Sequence, residues 1–455
     1  MKKDTKKGHV FEQAINKYIS LLNAQKESFP IIISTLTANL VAKTDKLKDY
    51  IDKNNLKQEA DKENVTISIP FQLSRNFFRY NKDVDQSLKA INLISNNVIV
   101  AFVSIYDAFL GDLLKGVFQI KPEILNSCNK EFSFSEIIKF QNIDSFKEHI
   151  IEKEIETILR DSHSKQIEWI ANKLGIKLTS DLPDFKHFIE ITERRNLFVH
   201  ADGKVSKQYI AVCKKYNIET NLKIGDTITV DANYFKHCYD ILFEIGIKLG
   251  QVLWRNLDSK NSLEEADENL IDINYDLLKN KEYKLASKML DFSTKKYVKH
   301  YNKEYEYIFH INLALSYYLQ GKKEECYKII DNIDWSAIDS KYKLAVAVLK
   351  ENYEEACNYM ECVNKEKLQY MYGEWPLFTQ FRCSPEFKQS YKKMYGTDFE
   401  FQEIKKIGWE ETIQSAIAIS EKMKLKINQQ TIDACESKDE AKEINENDVE
   451  YTDQK

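Results

Sequence analysis

The chain has 455 residues, which at roughly 100–200 residues per domain predicts two to four domains. Its 66 Lys and Arg nearly balance its 71 Asp and Glu, and the net charge of −5 excludes a uniformly basic nucleic-acid coat, though not a local basic site. Because 12 Gly and 6 Pro are too few for a turn-rich all-β protein or a Gly-rich dinucleotide-binding fold, the composition predicts a mainly all-α fold with minor short strands.

Cysteine usage and hydropathy predict a cytoplasmic protein. None of the eight cysteines forms a C-x-x-C pair, and most lie in apolar sequence contexts typical of reduced, structural thiols. The basic start leads into a segment that is too interrupted by polar residues for a signal peptide. The longest apolar stretches, 31–41 and 98–106, are too short to span a bilayer, so we expect no membrane association.

The first part of the chain predicts helices around one charged linker. Residues 1–85 indicate an amphipathic helical lead-in that contains a charged linker over 42–64 and a short strand over 65–69. From 86 to 118 apolar residues recur every three or four positions, which predicts a buried helix, although the β-branched run NNVIVAFVSI alone would also fit a strand. Residues 120–165 then predict a polar helical insertion.

Further elements follow in residues 180–256. A helix through DFKHFIEITERRNLFVHAD is expected to stop at Gly203, because glycine readily adopts the left-handed conformation that follows a helix end. A short helix (VSKQYIAVCKKY) and a strand or turn (LKIGDTITV) come next. The last element is a long helix whose apolar seam repeats at steps of three and four.

The chain changes character at residue 262, and 262–425 predicts three helix–turn–helix units. Each unit has an apolar helix end, a tight turn, a charged helix start and one small inward residue, namely Ala286, Cys326 and Ala356. The units resemble tetratricopeptide repeats, although the small residues lie 40 and 30 residues apart instead of that family's period of about 34. Stacked helical pairs present a concave surface, so we expect a protein partner or a viral trigger there. Residues 431–455 predict an acidic, disordered tail.

The stretch ITERRNLFVHADGKVSKQYI (191–210) concentrates the residues that could carry chemistry. At about 100° per residue, Arg195 and His200 border one partly apolar helix stripe from opposite edges, about 140° apart. The stripe contains Phe185, Phe188, Thr192, Asn196 and Val199. Two side chains so arranged do not easily meet on one small ligand. They do meet if the stripe packs against a second copy of itself, so the spacing favours a symmetric homodimer in which both chains line one groove.

The same stretch resembles the R-x4–6-H signature of the HEPN family (higher eukaryote and prokaryote nucleotide-binding domains). Arg195 is followed by four residues and then His200, and the polar Asn196 directly follows the arginine, as is common in that family. Upstream, AFVSIYDAFLGDLL (101–114) resembles the first core helix of the family. Downstream, GDTITVDANYFKHCYDILFEIGIKL (225–249) resembles its closing turn and last helix.

The resemblance covers residues 86–258, with the insertion at about 120–165, and implies a metal-independent endoribonuclease of antiviral, abortive-infection or toxin systems. RNA supplies its own nucleophile in the 2′-OH, so the resemblance implies no cofactor and no metal, and products with a 2′,3′-cyclic phosphate. It also implies a homodimer that cleaves an RNA substrate. The implied catalytic residues are Arg195, His200 and Asn196, and the implied substrate-binding residues are Glu193, Arg194 and Lys204.

Two other interpretations stay open. Arg195 and His200 also fit a structural pair near a helix C-terminus, where cations are favoured. The HEPN-like domain would then be a non-catalytic dimerisation or nucleotide-binding module, with the repeats as a protein-interaction scaffold. The remaining interpretation is a plain helical scaffold with a chance motif.

Other conspicuous side chains fit the core better than a site. Tyr106 and Tyr209 both lie in apolar patterns typical of buried residues. His237 and Cys238 are adjacent, but the sequence has no second Cys/His cluster near them, so core packing is favoured over a metal site.

Overall fold

A computed structural model of the chain is mainly helical, which confirms the predicted all-α class. The structure describes residues 8–56, 58–60, 65–127, 132–178, 182–258, 260–295, 298–363, 365–401 and 430–431. Two predicted segments lie outside the described residues. They are 402–425, the end of the predicted repeat domain, and 432–455, which is the predicted acidic tail without its first residue.

Two long helices open the described chain, α1 (Val10–Lys53) and α2 (Phe71–Ile120). Between them, strands β1 (Gln58–Ala60) and β2 (Val65–Ile67) pair in antiparallel fashion. Strand β2 also pairs in parallel with β3 (Gln430–Thr431). The short strand predicted in this region is therefore present as β2.

Two limits predicted from the sequence differ from the structure. The charged linker expected over 42–64 is helical as far as Lys53, and the domain limit expected at residue 85 lies inside α2. Leu47 and Ile51 are buried, so the charges around them occupy the solvated face of a continuing helix. A run of charges did not mark a break in the chain here.

The insertion predicted at about 120–165 consists of short helices. A 3₁₀ helix (Pro122–Ser127) follows α2 and precedes α3 (Phe134–Ile137), α4 (Ile143–Leu159) and α5 (His163–Leu174). The helices that carry the motif and its flanks come next: α6 (Phe185–His200), α7 (Lys207–Lys215) and α8 (Ala232–Leu257).

Beyond α8 the described residues form helical hairpins. The paired helices are α9 (Leu263–Lys279) with α10 (Tyr283–Ser293), α11 (Lys303–Leu319) with α12 (Lys323–Asp331), and α13 (Ser340–Leu349) with α14 (Tyr353–Cys362). Two further helices follow, α15 (Lys365–Glu374) and α16 (Pro385–Tyr395), with 3₁₀ helices at Pro376–Phe378 and Phe381–Cys383 between them.

The three hairpins share one turn geometry. Lys281, Gly321 and Glu351 occupy the same turn position, with φ of 63°, 78° and 58°. In each turn the next amide donates a hydrogen bond of 2.9–3.0 Å to a carbonyl five residues earlier. The small residues predicted to face inward, Ala286, Cys326 and Ala356, are all fully buried. Helix–turn–helix units therefore stand at the three predicted places, at the irregular spacings of 40 and 30 residues.

The described residues belong to two compact units. The first unit contains the described residues within 8–20, 105–189 and 240–401, so it includes the hairpins. The second unit contains the described residues within 21–104 and 190–239 together with 430–431, so it includes the residues of the R-x4-H motif. The limits of the second unit fall inside α1, α2, α6 and α8 and not at residues 85 and 258, the domain limits expected from the sequence.

Among the described helices, α2 is the one that is long and apolar enough to cross a membrane by length and composition. Its most apolar 18 residues have a mean hydropathy of 1.6, and 44% of that window is buried within the protein. A buried core helix passes the same test, so the expected absence of membrane association stays a prediction.

Gly246 of α8 allows the side chain of Tyr18 on α1 to lie directly against the helix backbone. A Cβ atom at Gly246 would lie 2.3 Å from the Tyr18 ring, whose hydroxyl donates to the Leu242 carbonyl at 2.7 Å. Gly246→Ala is therefore expected to lower the free energy of unfolding by about 1–3 kcal/mol through overpacking. Urea denaturation followed by circular dichroism measures this loss. Gly111→Ala, whose Cβ would meet its nearest neighbour at an ordinary 3.6 Å, is the control, and equal stability of the two variants would contradict the prediction.

Candidate active site

Helix α6 ends where the sequence predicts. Its last helical residue is His200, and Asp202 and Gly203 then adopt positive φ of 49° and 72°. The Gly203 amide donates to the Leu197 carbonyl at 3.0 Å, which satisfies one of the open carbonyls of the last helical turn. A side chain at Gly203 would be strained, since its Cβ would also lie 3.3 Å from the Ile228 carbonyl oxygen.

A loop fixes the chain directly after α6. Lys204 and Thr227 form an antiparallel bridge, and the Val205 amide donates to the Asp226 carbonyl at 2.9 Å. The segment predicted as a strand or a turn is thus a turn with a single bridge. The neighbours of the bridge in the chain, Val205 and Ile228, belong to a small buried apolar cluster that also contains Leu197, Tyr209 and Cys213. The bridge and the cluster together hold the end of α6 against α7.

Arg195, Asn196 and His200 lie in the last two turns of α6. Arg195 and Asn196 are half-buried, and Arg195 Nη1 donates to Asn196 Oδ1 at 3.2 Å. His200 is exposed, and its imidazole forms no hydrogen bond or ion pair with any other described residue. The motif therefore combines a guanidinium that is oriented by its neighbour with an imidazole that is open to solvent.

The three residues predicted to bind substrate have different environments. Lys204 is exposed, and Glu193 Oε2 accepts a hydrogen bond of 3.3 Å from Gln208 Nε2. Arg194 points into the protein instead, with its side chain only 14% exposed. This guanidinium is therefore used within the protein, and the substrate-binding role expected for Arg194 stays a prediction.

Arg194 belongs to a buried polar network centred on Glu190. Arg194 Nε donates to Glu190 Oε1 at 2.8 Å, and the Tyr209 hydroxyl donates to the same oxygen at 2.5 Å. The Tyr234 hydroxyl donates to Glu190 Oε2 at 2.8 Å, and the Arg194 guanidinium carbon lies 3.8 Å from the centroid of the Tyr234 ring. Glu190 is only 6% exposed. The network thus connects α6 to α7 through Tyr209 and to α8 through Tyr234.

Both tyrosines of the network remain protonated donors. Burial raises the pKa of Tyr209 above its usual value, and the nearby Glu190 carboxylate raises it further. Burial likewise raises the pKa of Tyr234, with smaller contributions from Cys238 and Glu190. Burial alone would lower the pKa of Arg194, but Tyr234, Glu190 and Tyr209 raise it overall. A fixed cation and two neutral donors therefore surround the Glu190 carboxylate.

Sequence reasoning missed Glu190 and Tyr234 as parts of this network. Glu190 and Arg194 have the i, i+4 spacing of a helix ion pair, a local signal that was available. Tyr209 was predicted as a core residue, and its exposure of 2% confirms this. Its contact with Glu190 depends on how α6 and α7 pack, which no local pattern reveals.

The helix stripe that was predicted to face a second chain is partly covered by the protein itself. Phe188 is fully buried against Tyr106, with ring centroids 4.8 Å apart, and Thr192 is 2% exposed. Val199, at the end of the stripe, is 48% exposed. The middle of the predicted stripe is therefore closed to a partner, whereas its C-terminal end at Val199 is open.

The other side chains singled out in the sequence lie in the core or form no cluster. Tyr106 and Cys238 are fully buried, which confirms the core assignment of both. Burial raises the pKa of the Cys238 thiol, so this side chain does not readily form the thiolate. In the part of the chain that the structure describes, no three His, Cys, Asp or Glu side chains are grouped in a way that would hold a metal ion.

Comparison of the chain with protein-family models, with curated proteins and with solved structures finds no match.

The raised pKa values in the network predict loss of stability at high pH. An unfolded tyrosine ionises near pH 10, whereas folded Tyr209 keeps its proton above that pH. The unfolded state then binds fewer protons, so stability is intact below about pH 10 and falls by about 1.4 kcal/mol per pH unit for each such tyrosine above it. Urea denaturation between pH 8 and 11 tests this. Tyr209→Phe should give a shallower alkaline decline than the wild type, and parallel declines would contradict the assignment.

Proposed function

We propose that the chain is a metal-independent endoribonuclease whose catalytic residues are Arg195 and His200, with Asn196 orienting the arginine. One observation carries the proposal. The end of α6 presents both the Arg195 guanidinium, which is hydrogen-bonded to Asn196, and the exposed imidazole of His200. The resemblance of this stretch to the R-x4–6-H signature of HEPN domains supports the same reaction class.

The chemistry follows from the residue types. The ribose 2′-OH attacks the adjacent phosphorus while a base takes its proton, and the leaving 5′-oxygen receives a proton from an acid. Histidine serves either role near neutral pH, since its unperturbed pKa is about 6.5. Arg195 binds two phosphate oxygens and stabilises the charge that develops on them. The products are a 2′,3′-cyclic phosphate and a 5′-OH, and no bond is made to a metal or a cofactor.

A homodimer completes the site in this proposal. One chain offers a single His200, and a second copy supplies the other histidine, so that base and acid act on opposite sides of the phosphate. The apolar side chains suited to such an interface are Val199, 48% exposed at the end of α6, and Ile224, 58% exposed beside the loop that pairs with residues 204 and 205. The helical hairpins would sense a trigger or restrain the nuclease in a cytoplasmic antiviral, abortive-infection or toxin system.

The test is bacterial growth with the wild-type chain, His200→Ala and Arg195→Ala, with and without virus infection, and total RNA resolved from each culture. We expect growth arrest with discrete RNA fragments that end in a 2′,3′-cyclic phosphate, and loss of both effects in the two variants. Equal behaviour of all three strains under both conditions would overturn the proposal. In that event the non-catalytic dimerisation or nucleotide-binding module, with the hairpins as a protein-interaction scaffold, becomes the better interpretation.

A further inference from the structure

The first turns of α2 carry aromatic and cationic side chains that are exposed in the part of the chain that the structure describes. Phe71 is 79% exposed and Phe78 is 47% exposed, an unusual amount of aromatic surface for one helix end. Arg75, Arg79 and Lys82 are exposed between and beside them. At about 100° per residue, Phe71, Arg75, Phe78 and Lys82 fall within about 60° of arc. We call Phe71, Arg75, Phe78, Arg79 and Lys82 the outer stripe.

The outer stripe carries positive charge that no acidic side chain of the described residues pairs with. Within the described ranges, the side chains of Arg75, Arg79 and Lys82 form no ion pair or hydrogen bond. A turn further along α2 the situation differs, since Lys89 Nζ lies 2.7 Å from Asp85 Oδ2. The first turn of α2 also has no acidic residue, so the positive end of the helix dipole adds to the same field.

The opposite side of α2 holds this part of the fold together. Phe77 and Val84 are fully buried and Leu88 is 6% exposed, all on the face turned away from the outer stripe. Packing therefore does not require the exposed phenylalanines or the cations. Substitutions in the outer stripe are expected to leave stability nearly unchanged.

We propose that the outer stripe binds single-stranded RNA and thereby holds the substrate of the proposed endoribonuclease. Unpaired Arg and Lys side chains bind phosphates, and exposed aromatic rings stack on bases of any sequence. Phe71 and Phe78 lie seven residues apart, about 10 Å along the helix axis, with Arg75 between them. This inference adds a substrate-binding surface to the proposed function and rests on that function for its physiological meaning.

The arrangement favours RNA over the other occupants of such a surface. Helices that lie on membranes separate an apolar face from a cationic face, whereas here Phe71, Arg75, Phe78 and Lys82 alternate within the same narrow arc. A second copy of the stripe would bring like charges together, which costs free energy at an interface. A polyanion that also offers flat rings satisfies both kinds of side chain at once.

The experiment measures binding of the full-length chain to a fluorescein-labelled 20-nucleotide polyuridine RNA by anisotropy, at several NaCl concentrations. The His200→Ala background prevents cleavage during the measurement. We compare Arg75→Ala/Arg79→Ala/Lys82→Ala with the charge-matched control Lys46→Ala/Lys115→Ala/Lys328→Ala, whose lysines are exposed and unpaired among the described residues. A third variant is Phe71→Ala/Phe78→Ala, and circular dichroism melting verifies that each variant is folded.

The outer-stripe triple variant is expected to weaken binding at least about tenfold and to reduce the salt slope by about two, as three lost phosphate contacts imply. The phenylalanine variant should weaken binding by at least about 30-fold without changing the salt slope, since two stacking contacts of about 1–3 kcal/mol each are lost and stacking releases no counterions. The control should stay within about twofold of the background chain. Equal losses in the two triple variants, or no loss in the stripe variant, would overturn the inference. Stripe-dependent binding to phosphatidylserine vesicles without binding to RNA would overturn it in favour of a lipid surface.

Cleavage separates this inference from the proposed function. For this test His200 is intact, and the cleavage rate of a long single-stranded RNA is measured below saturating substrate. If the outer-stripe triple variant cleaves as fast as the wild type, the nuclease proposal stands and the outer stripe is rejected as the binding surface. Stripe-dependent binding by a chain that cleaves no RNA would support the binding surface and reject the nuclease.

Discussion

His200→Ala is expected to slow RNA cleavage by about 10²–10⁴-fold while changing the free energy of unfolding by less than about 0.5 kcal/mol. His200 is exposed at the end of α6 and has no partner within the described ranges, so its removal costs no packing and leaves no buried group unpaired. The proposed reaction nevertheless loses its proton-transfer group. Initial rates on a labelled single-stranded RNA and thermal unfolding of the same preparation measure the two effects.

The adjacent arginines provide a matched comparison for this prediction. Arg195→Ala should reduce cleavage as His200→Ala does, and Arg195→Lys should restore little, because an ammonium does not reproduce the two-point contact of a guanidinium with phosphate. Arg194→Ala should instead destabilise the fold, since it leaves Glu190 without its cation. Cleavage at the wild-type rate by folded Arg195→Ala or His200→Ala would reject the catalytic assignment.

Local rules account for the features that were predicted correctly. The end of α6 follows from the preference of Gly203 for positive φ. The hairpin turns were predicted from a sequence pattern in which a short polar segment separates an apolar helix end from a charged helix start. Lys281 and Glu351 adopt the same positive φ as Gly321 without being glycine, so the repeated pattern carried more information than any single turn residue. Each of these features is decided within a few residues of chain.

The features that were missed depend on contacts between distant segments. Glu190, Tyr209 and Tyr234 meet only because α6, α7 and α8 pack together, since Tyr209 is 19 positions and Tyr234 is 44 positions after Glu190 in the chain. The same packing turned Arg194 inward, although its neighbour Arg195 has an identical side chain and differs by only about 100° of helix rotation. The sequence could place both arginines on α6, but it could not choose which of them the fold would use.

The Glu190 network explains how α6 presents its end in a fixed orientation, and Glu190→Ala is expected to lower the free energy of unfolding by about 3–5 kcal/mol. The substitution leaves the Arg194 guanidinium, only 14% exposed, without its carboxylate. It also removes the acceptor of the Tyr209 and Tyr234 hydroxyls. Glu190→Gln keeps an acceptor but loses the charge, so we expect a smaller loss of about 1–3 kcal/mol. Urea denaturation near pH 7 gives both values.

A double variant and a surface control decide whether the loss comes from the network. Glu190→Leu/Arg194→Met removes both charges at once, and replacing a buried ion pair by apolar side chains is often close to neutral. The double variant should therefore be more stable than either Glu190→Leu or Arg194→Met alone. Glu193→Ala removes a carboxylate from the same helix outside the network and should cost less than about 0.5 kcal/mol. If the stability loss of the double variant equals the sum of the losses of the two single variants, Glu190 and Arg194 do not stabilise the fold as a pair. The orientation of the α6 end would then have another cause.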